Sequence, residues 1–363
     1  MSELLVRLLG IENFDVILVL SILIGFGLME TLSGYLFNSK RKTDDWIQEI
    51  VSFLLLSTGI KPVIVFCVYL VGNTFFPEQQ SLFTELSFGW ALLVYLLIDD
   101  VLQYWYHRSA HETSFLWKLH RAHHQAEEMG YFVSYRNAFL YYILMPNIWW
   151  VGFVVFAGGA KAVALGLVLK QLIIIGSHSR LRWDKPFYEF AALRPIIKIL
   201  ERIIITPAFH HSHHGTSLLD EASDPNGNFG NMFSFWDQLF GTATFQRSYP
   251  KQYGLQKKTN DPWTSAYFYP FVTSPDKQSD WHKDHQIKKT ATKEAATLTL
   301  TKGENYLWCA CGRSATQPFC DGSHHGSKIK PQKFTAKRTG EVRLCNCKKT
   351  AKGPFCDDTH LNL

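Results

Sequence analysis

Five histidines fall within the eighteen residues from His107 to His124, directly after an apolar run long enough to cross a bilayer. The stretch reads Asp100-Val-Leu-Gln-Tyr-Trp-Tyr-His107-Arg-Ser-Ala-His111 and ends in Leu-His120-Arg-Ala-His123-His124. On a helix, His107 and His111 stand at i,i+4 and share a face; His120, His123 and His124 share another. A third group, His210-His211-Ser-His213-His214, comes later in the chain. Helical geometry collects His210, His213 and His214 and turns His211 about 100° away from them, so His211 is expected to stay off the metal. Packing alone does not demand this pattern. It aims imidazoles at one point and predicts a histidine-ligated metal centre at a membrane surface.

The averages conceal how the chain divides. Its 363 residues include 19% charged ones, and the mean hydropathy is -0.05, as in an ordinary soluble protein. Yet residues 14–176 hold several long apolar runs, whereas the chain beyond about residue 245 is polar and rich in lysine. The net charge of +6 is spread out. It suits a surface facing anionic lipid, and no dense basic stripe marks a nucleic-acid site.

The run 14–37 exceeds a signal-peptide core, lacks a clear cleavage site and reads as a retained membrane helix. Lys40-Arg41-Lys42 follow it and place that end in the cytoplasm. A second span within 47–72 is expected to break at Lys61-Pro62. Residues 86–106 return inward and deliver the first histidines. The segments 138–157 and 160–176 form a hairpin through Gly158-Gly159 that leaves His178 beside the others. Five apolar segments result, or four spans and a re-entrant helix. Either way, all metal-binding groups lie on the cytoplasmic face.

Eight or nine imidazoles exceed what one ion takes, since a catalytic zinc uses three and a water. They suit two metals, and imidazole serves iron, zinc and copper alike. Asp99 and Asp100 are placed to anchor ligand N–H groups from behind. The words around the histidines carry a resemblance: Tyr104-Trp105-Tyr106-His107-Arg108, Leu116-Trp117 before His120, Arg136, His178-Ser179, Thr206-Pro207 before His210, and Asn228-Phe229-Gly230 leading to Trp236-Asp237 and Phe240-Gly241-Thr242. Over about residues 85–250 the chain resembles the fatty acid hydroxylase / sterol desaturase superfamily of membrane di-iron enzymes. That resemblance implies a di-iron centre using O2 to hydroxylate or desaturate a lipid. Its ligands would be His107, His111, His120, His123, His124, His210, His213 and His214, with His178 as a ninth. Where family patterns often place a threonine, this chain has Phe132-Val133-Ser134-Tyr135, which leaves the substrate class open.

Six of the seven cysteines form two modules: Cys309, Cys311, Cys320 with His324, and Cys345, Cys347, Cys356 with His360. Cys67 stands alone in an apolar run as a core filler. Three thiolates and one imidazole at identical spacing indicate zinc or an iron–sulfur cluster in a reducing compartment. Cys-x-Cys does not fit zinc ribbons and favours [2Fe–2S]. Both modules resemble the CDGSH iron–sulfur family in tandem, which implies one [2Fe–2S] cluster in each. The second departs from the first by having Asp358 where Gly322 stands.

The fold expected is mainly α: N-terminal transmembrane helices (1–85), a histidine-box domain (86–273), a linker (274–296) and a small, loop-rich α+β CDGSH domain (297–363). The linker lacks an apolar period and, if flexible, reaches about 25–30 Å; its His282 and His285 are expected to be solvated. The function expected is a membrane di-iron oxygenase acting on a lipid within the bilayer, its fused domain carrying electrons from a cytoplasmic reductase. A membrane-anchored redox sensor or cluster-transfer protein is the alternative, and a metal-dependent hydrolase a third.

Overall fold

The computed structural model describes residues 14–35, 41–286 and 290–363. Lys40 and residues 287–289 of the expected linker lie outside them. The chain is helical up to residue 268, in the order α1 (Phe14–Leu32), α2 (Thr43–Leu55), α3 (Lys61–Phe75), α4 (Phe88–Glu112), α5 (Ser114–His124), α6 (Phe139–Ile143), α7 (Pro146–Phe156), α8 (Ala160–His178), α9 (Lys185–Glu189), α10 (Arg194–Leu200), α11 (Pro207–His213), α12 (Phe235–Leu239) and α13 (Trp263–Phe268). Four strands follow: β1 (Ala296–Leu300), β2 (Asn305–Trp308), β3 (Gln332–Thr335) and β4 (Gly340–Leu344).

Among the described residues, two helices are long and apolar enough to cross a membrane by length and composition, Thr43–Phe75 and Ala160–His178. The first is continuous where a break was expected. Pro62 has no N–H to give Thr58, and instead of breaking, the chain takes a π-helical turn over Leu56–Ile60 that joins α2 to α3. The expected hairpin forms from α7 and α8, although Pro146 separates the short α6 from it. Apolar side chains such as Ile24, Phe66, Leu70, Phe75 and Trp90 stand outward and exposed, a pattern that marks a lipid or partner surface.

Helix α4 packs on α7 and α8, α3 on α7, and α1 on α8. Small residues set these distances: a Cβ on Gly166 of α8 would lie 2.3 Å from the Tyr95 ring of α4. The close approach brings the C-terminal ends of α4 and α8 together, where His111 and His178 stand.

In the C-terminal domain β1 pairs antiparallel with β4, and β2 with β3. The two modules repeat one local architecture. Cys309 N–H donates to the Pro318 carbonyl as Cys345 N–H does to Pro354, and Cys320 N–H to Leu307 as Cys356 N–H does to Arg343. Gly322 and Asp358 occupy the same left-handed turn, at φ +88° and +64°. Asp is among the residues that tolerate this region, and Arg343 holds the Asp358 carboxylate at 2.5 Å. The substitution keeps the turn.

Residues 274–286, read from their composition as linker, are packed against the helical domain. Trp281 is fully buried with Ala122 and Ala266. Its Nε1–H donates to the Lys118 carbonyl at 2.6 Å, and the Arg121 guanidinium lies 4.6 Å from its ring. His282 and His285 are only 12% and 18% exposed, so they are less solvated than expected. One tryptophan in a polar stretch accounts for the difference.

Candidate metal centre

The eight histidines singled out by spacing, and His178 implied by the resemblance, converge in two buried groups. His107, His111, His120, His124 and His213 form one; His123, His178, His210 and His214 form the other. Within each group the nitrogens that face each other lie within 4.8 Å. The groups adjoin: the rings of His124 and His214 stack at 4.6 Å and those of His123 and His214 lie 4.4 Å apart. His211 stays out, as expected, with its Nδ1 3.0 Å from the Tyr253 hydroxyl.

Outer partners orient the rings. The Nδ1–H groups of His107, His213, His123 and His178 donate to the carbonyls of Phe229 (2.8 Å), Gly227 (2.7 Å), Val133 (3.0 Å) and Ile174 (2.7 Å). His120 donates to Asn137 Oδ1 at 2.8 Å. Each bond fixes the tautomer that turns a lone pair on Nε2 inward. The inward Nε2 atoms stand 3.1 Å apart for His107 and His213, 2.9 Å for His178 and His210, and 3.1 Å for His210 and His214. Donors about 2.0–2.1 Å from a shared metal are spaced at about 2.8–3.4 Å, from right-angle to tetrahedral geometry, which these distances match.

Two further observations test the fit. The Nε2 atoms of His120 and His124, and both ring nitrogens of His111, are buried without any hydrogen-bond partner, a costly state that a metal relieves. Burial, and after it the neighbouring imidazoles, pushes His124, His210 and His214 well below the ordinary histidine range. The same burial lowers His120, His123 and His213. Neutral imidazoles are what a metal binds. All nine residues therefore fit a dinuclear centre.

Asp100 does not touch a histidine. It accepts the N–H groups of Met232 (3.0 Å) and Phe233 (2.9 Å). Asp237 accepts those of Phe229 and Gly230, both at 2.7 Å. Together the two carboxylates hold the turn-rich loop whose carbonyls orient His107 and His213. Asp99 instead forms a close ion pair with Lys170. A partner that spacing did not reveal is Asn137, next to the Arg136 already noted; a polar residue at the head of an aromatic run was the available signal.

A cavity of about 100 Å³ opens beside the cage. Its lining includes His107, His120, His123, His178 and His210, the apolar Met145, Ile148 and Val151, and the charged Lys61, Asp99 and Lys170.

In each cysteine module the four groups stand as two close pairs. Cys309 and Cys311 Sγ are 3.8 Å apart, and Cys320 Sγ is 3.2 Å from His324 Nδ1. In the second, Cys345 and Cys347 are 3.5 Å apart, and Cys356 is 3.3 Å from His360 Nδ1. All six thiols are free, as cluster binding requires. The first module is docked on the helical domain: His324 Nε2–H donates to Asn226 Oδ1 at 2.9 Å, and Lys330 Nζ donates to the Asn226 carbonyl at 2.5 Å.

Residues 92–242 match the fatty acid hydroxylase family model, and residues 281–325 match that of the iron-binding zinc finger of CDGSH type. CDGSH iron-sulfur domain-containing protein 3, mitochondrial, of Mus musculus is 48% identical over 59 residues, 16% of this chain and 43% of that protein. Alkylglycerol monooxygenase of Xenopus tropicalis is 27% identical over 171 residues, 47% of this chain and 34% of that protein. Very-long-chain aldehyde decarbonylase GL1-10 of Oryza sativa subsp. japonica is 31% identical over 169 residues, 46% of this chain and 50% of that protein. The chain thus spans half or less of the length of these relatives. The second cysteine module lies beyond residues 281–325, which the family model matches.

Proposed function

We propose that this chain, a fatty acid hydroxylase domain joined to a CDGSH iron–sulfur domain, is a membrane oxygenase that hydroxylates or desaturates a lipid and carries its own electron-transfer module. The observation that carries the reading is the pair of buried histidine groups with the docked first cysteine module beside them. His107, His111, His120, His124 and His213 would hold one iron, and His123, His178, His210 and His214 the second. Iron there supplies O2 binding and the oxidising power to break an unactivated C–H bond.

The protein's own groups do the rest. The carbonyls of Gly227, Phe229, Val133 and Ile174 keep the ligands in one tautomer. Phe229 packs its ring against His107, His111 and His213 and keeps water from that side of the cage. The cavity is lined by residues of the helices Thr43–Phe75 and Ala160–His178 and by five of the nine histidines, which supports access of a lipid chain to the cage from within the bilayer. Its buried Lys170–Asp99 pair offers polar contacts to a head group. Cys309, Cys311, Cys320 and His324 would bind one [2Fe–2S] cluster, and Cys345, Cys347, Cys356 and His360 another. In hydroxylation one oxygen atom enters the product and the other leaves as water, consuming two electrons and two protons. A cytoplasmic reductase supplies those electrons to the fused domain.

Metal analysis with an oxygen electrode tests this. The reading expects two irons beyond those of the clusters, and oxygen uptake when lipid and reductant are added. Zinc in the histidine cage with no oxygen uptake excludes it in favour of a hydrolase or a scaffold.

A further inference from the structure

The two cysteine modules share a local architecture but not their surroundings. After the first module's His324 comes His325; after the second module's His360 comes Leu361, which is 75% exposed. The His325 ring stacks on His324 at 4.4 Å and, on its other side, on the Trp117 indole at 4.5 Å with the planes 14° apart. Trp117 in turn lies 5.4 Å from the ring of His111 and 5.7 Å from that of His124. Five aromatic rings, with neighbouring centroids 4.4–5.7 Å apart, thus run from His324 of the first module through His325 and Trp117 to His111 and His124 of the histidine cage.

The backbone is shaped to allow it. Gly326 follows the stacked pair at φ +70°, and a Cβ there would lie 2.9 Å from Ser114 Cα and 3.1 Å from Trp117 Cβ. With only hydrogen in that place, Gly326 N–H donates to the His111 carbonyl at 3.0 Å and Ser114 Oγ–H to the Gly326 carbonyl at 2.9 Å. A second tryptophan joins the modules. Trp308, adjacent in sequence to Cys309, donates through Nε1–H to the Cys345 carbonyl at 2.7 Å.

We infer that electrons enter at the second cluster, pass to the first beside Trp308, and leave it for the histidine cage across His325 and Trp117. This rests on the oxygenase reading and adds a direction and a route. Each transfer oxidises the first cluster by one electron and reduces one iron of the cage, ferric to ferrous. A reduced flavoprotein restores the charge at the second cluster. Two transfers deliver the two electrons of one turnover. Trp117 and His325 are positioning residues in this scheme, since neither touches substrate.

The test uses the full chain with both clusters and the cage iron loaded, under anaerobic conditions so that O2 does not oxidise the clusters directly. Limiting dithionite reduces the clusters, and their reoxidation by the ferric cage is followed by absorbance and electron paramagnetic resonance. Trp117→Leu and His325→Leu should each slow reoxidation by about tenfold or more, and Trp117→Phe, which keeps a ring, should retain most of the rate. Iron content and cluster spectra should match the unmodified chain in all three, which a merely structural role would not ensure. With Cys356→Ser, reduction of the first cluster by a flavoprotein should slow while reduction by dithionite stays normal. Equal reoxidation rates in the unmodified chain and both leucine variants overturn the route. Flavoprotein reduction unaffected by Cys356→Ser overturns the direction. An unmodified chain that holds cage iron yet shows no reoxidation at all overturns the oxygenase reading and the route with it.

Discussion

His324 and Asn226 are joined by a hydrogen bond of 2.9 Å between a ring of the first cysteine module and the helical domain. The residue after Asn226 is Gly227, whose carbonyl orients His213 in the cage. One turn of backbone therefore touches both metal-binding parts of the molecule.

On the proposed reading, that contact tunes the first cluster. An acceptor on the far nitrogen makes the imidazole more electron-rich and favours the oxidised cluster. Asn226→Leu should raise the reduction potential of the first cluster by tens of millivolts, where about 59 mV is a tenfold change for a one-electron couple. The second cluster should not move. Potentiometric titration followed by visible absorption resolves the two; a first-cluster potential unchanged in the variant refutes the coupling.

The histidine division predicts which metal a substitution removes. His178→Ala takes one of four donors from its group, and the iron held beyond the clusters should fall from two per chain towards one. His211→Ala, whose ring faces Tyr253 rather than the cage, should keep both. Iron quantification on matched samples checks the contrast, and equal loss in the two variants contradicts the assignment.

Asp100 acts on the cage through the loop it holds. Asp100→Ala leaves the N–H groups of Met232 and Phe233 without their acceptors, at about 1–3 kcal/mol for each buried donor. Thermal unfolding should begin earlier, and metal should be lost at lower chelator concentration. A variant as stable and as well loaded as the parent rules this role out.

The packed segment 274–286 gives a pH prediction. Asp261 pairs with Arg121 at 3.1 Å, and both side chains are 2% exposed. Burial pushes the Asp261 carboxyl up, but the Arg121 guanidinium, with the hydroxyls of Ser274, Ser279 and Thr259, brings it below the ordinary aspartate value. A folded value below the unfolded one of about 3.9 means that the stabilisation is fully present above that pH and is lost as pH falls through the folded value. Asp261→Asn should cost about 3 kcal/mol at neutral pH by leaving Arg121 poorly paired and should flatten the acid limb of the stability curve. Unfolding measured between pH 3 and 7 in the same detergent decides it (bounds set by the aspartate value).

Much of the cage was legible in the sequence because helix periodicity is local: His107/His111 and His120/His123/His124 share faces whatever surrounds them. The same periodicity placed His211 off the cage. What depends on distant partners was not legible. Asp99 and Asp100 are neighbours on one helix, yet one meets Lys170 and the other the backbone of Met232 and Phe233, and only the tertiary fold separates them. Pro62 suggested a break but produced a π turn. The stretch 274–286 lacks an apolar period, so its buried aromatic anchor, Trp281, gave no pattern to read. The docking of His325 on Trp117 joins residues more than two hundred positions apart.

The central claim is that O2, lipid and the fused clusters meet in one reaction. Supplying the full chain with lipid, a reduced flavoprotein and isotopically labelled O2, and following the lipid by mass spectrometry, tests it most directly. The account predicts a lipid that gains one labelled oxygen or loses two hydrogens, formed with matching oxygen consumption and abolished by Cys320→Ser even though the cage iron remains. Product formed at the full rate without the clusters, or oxygen consumed with the lipid unchanged, would contradict it.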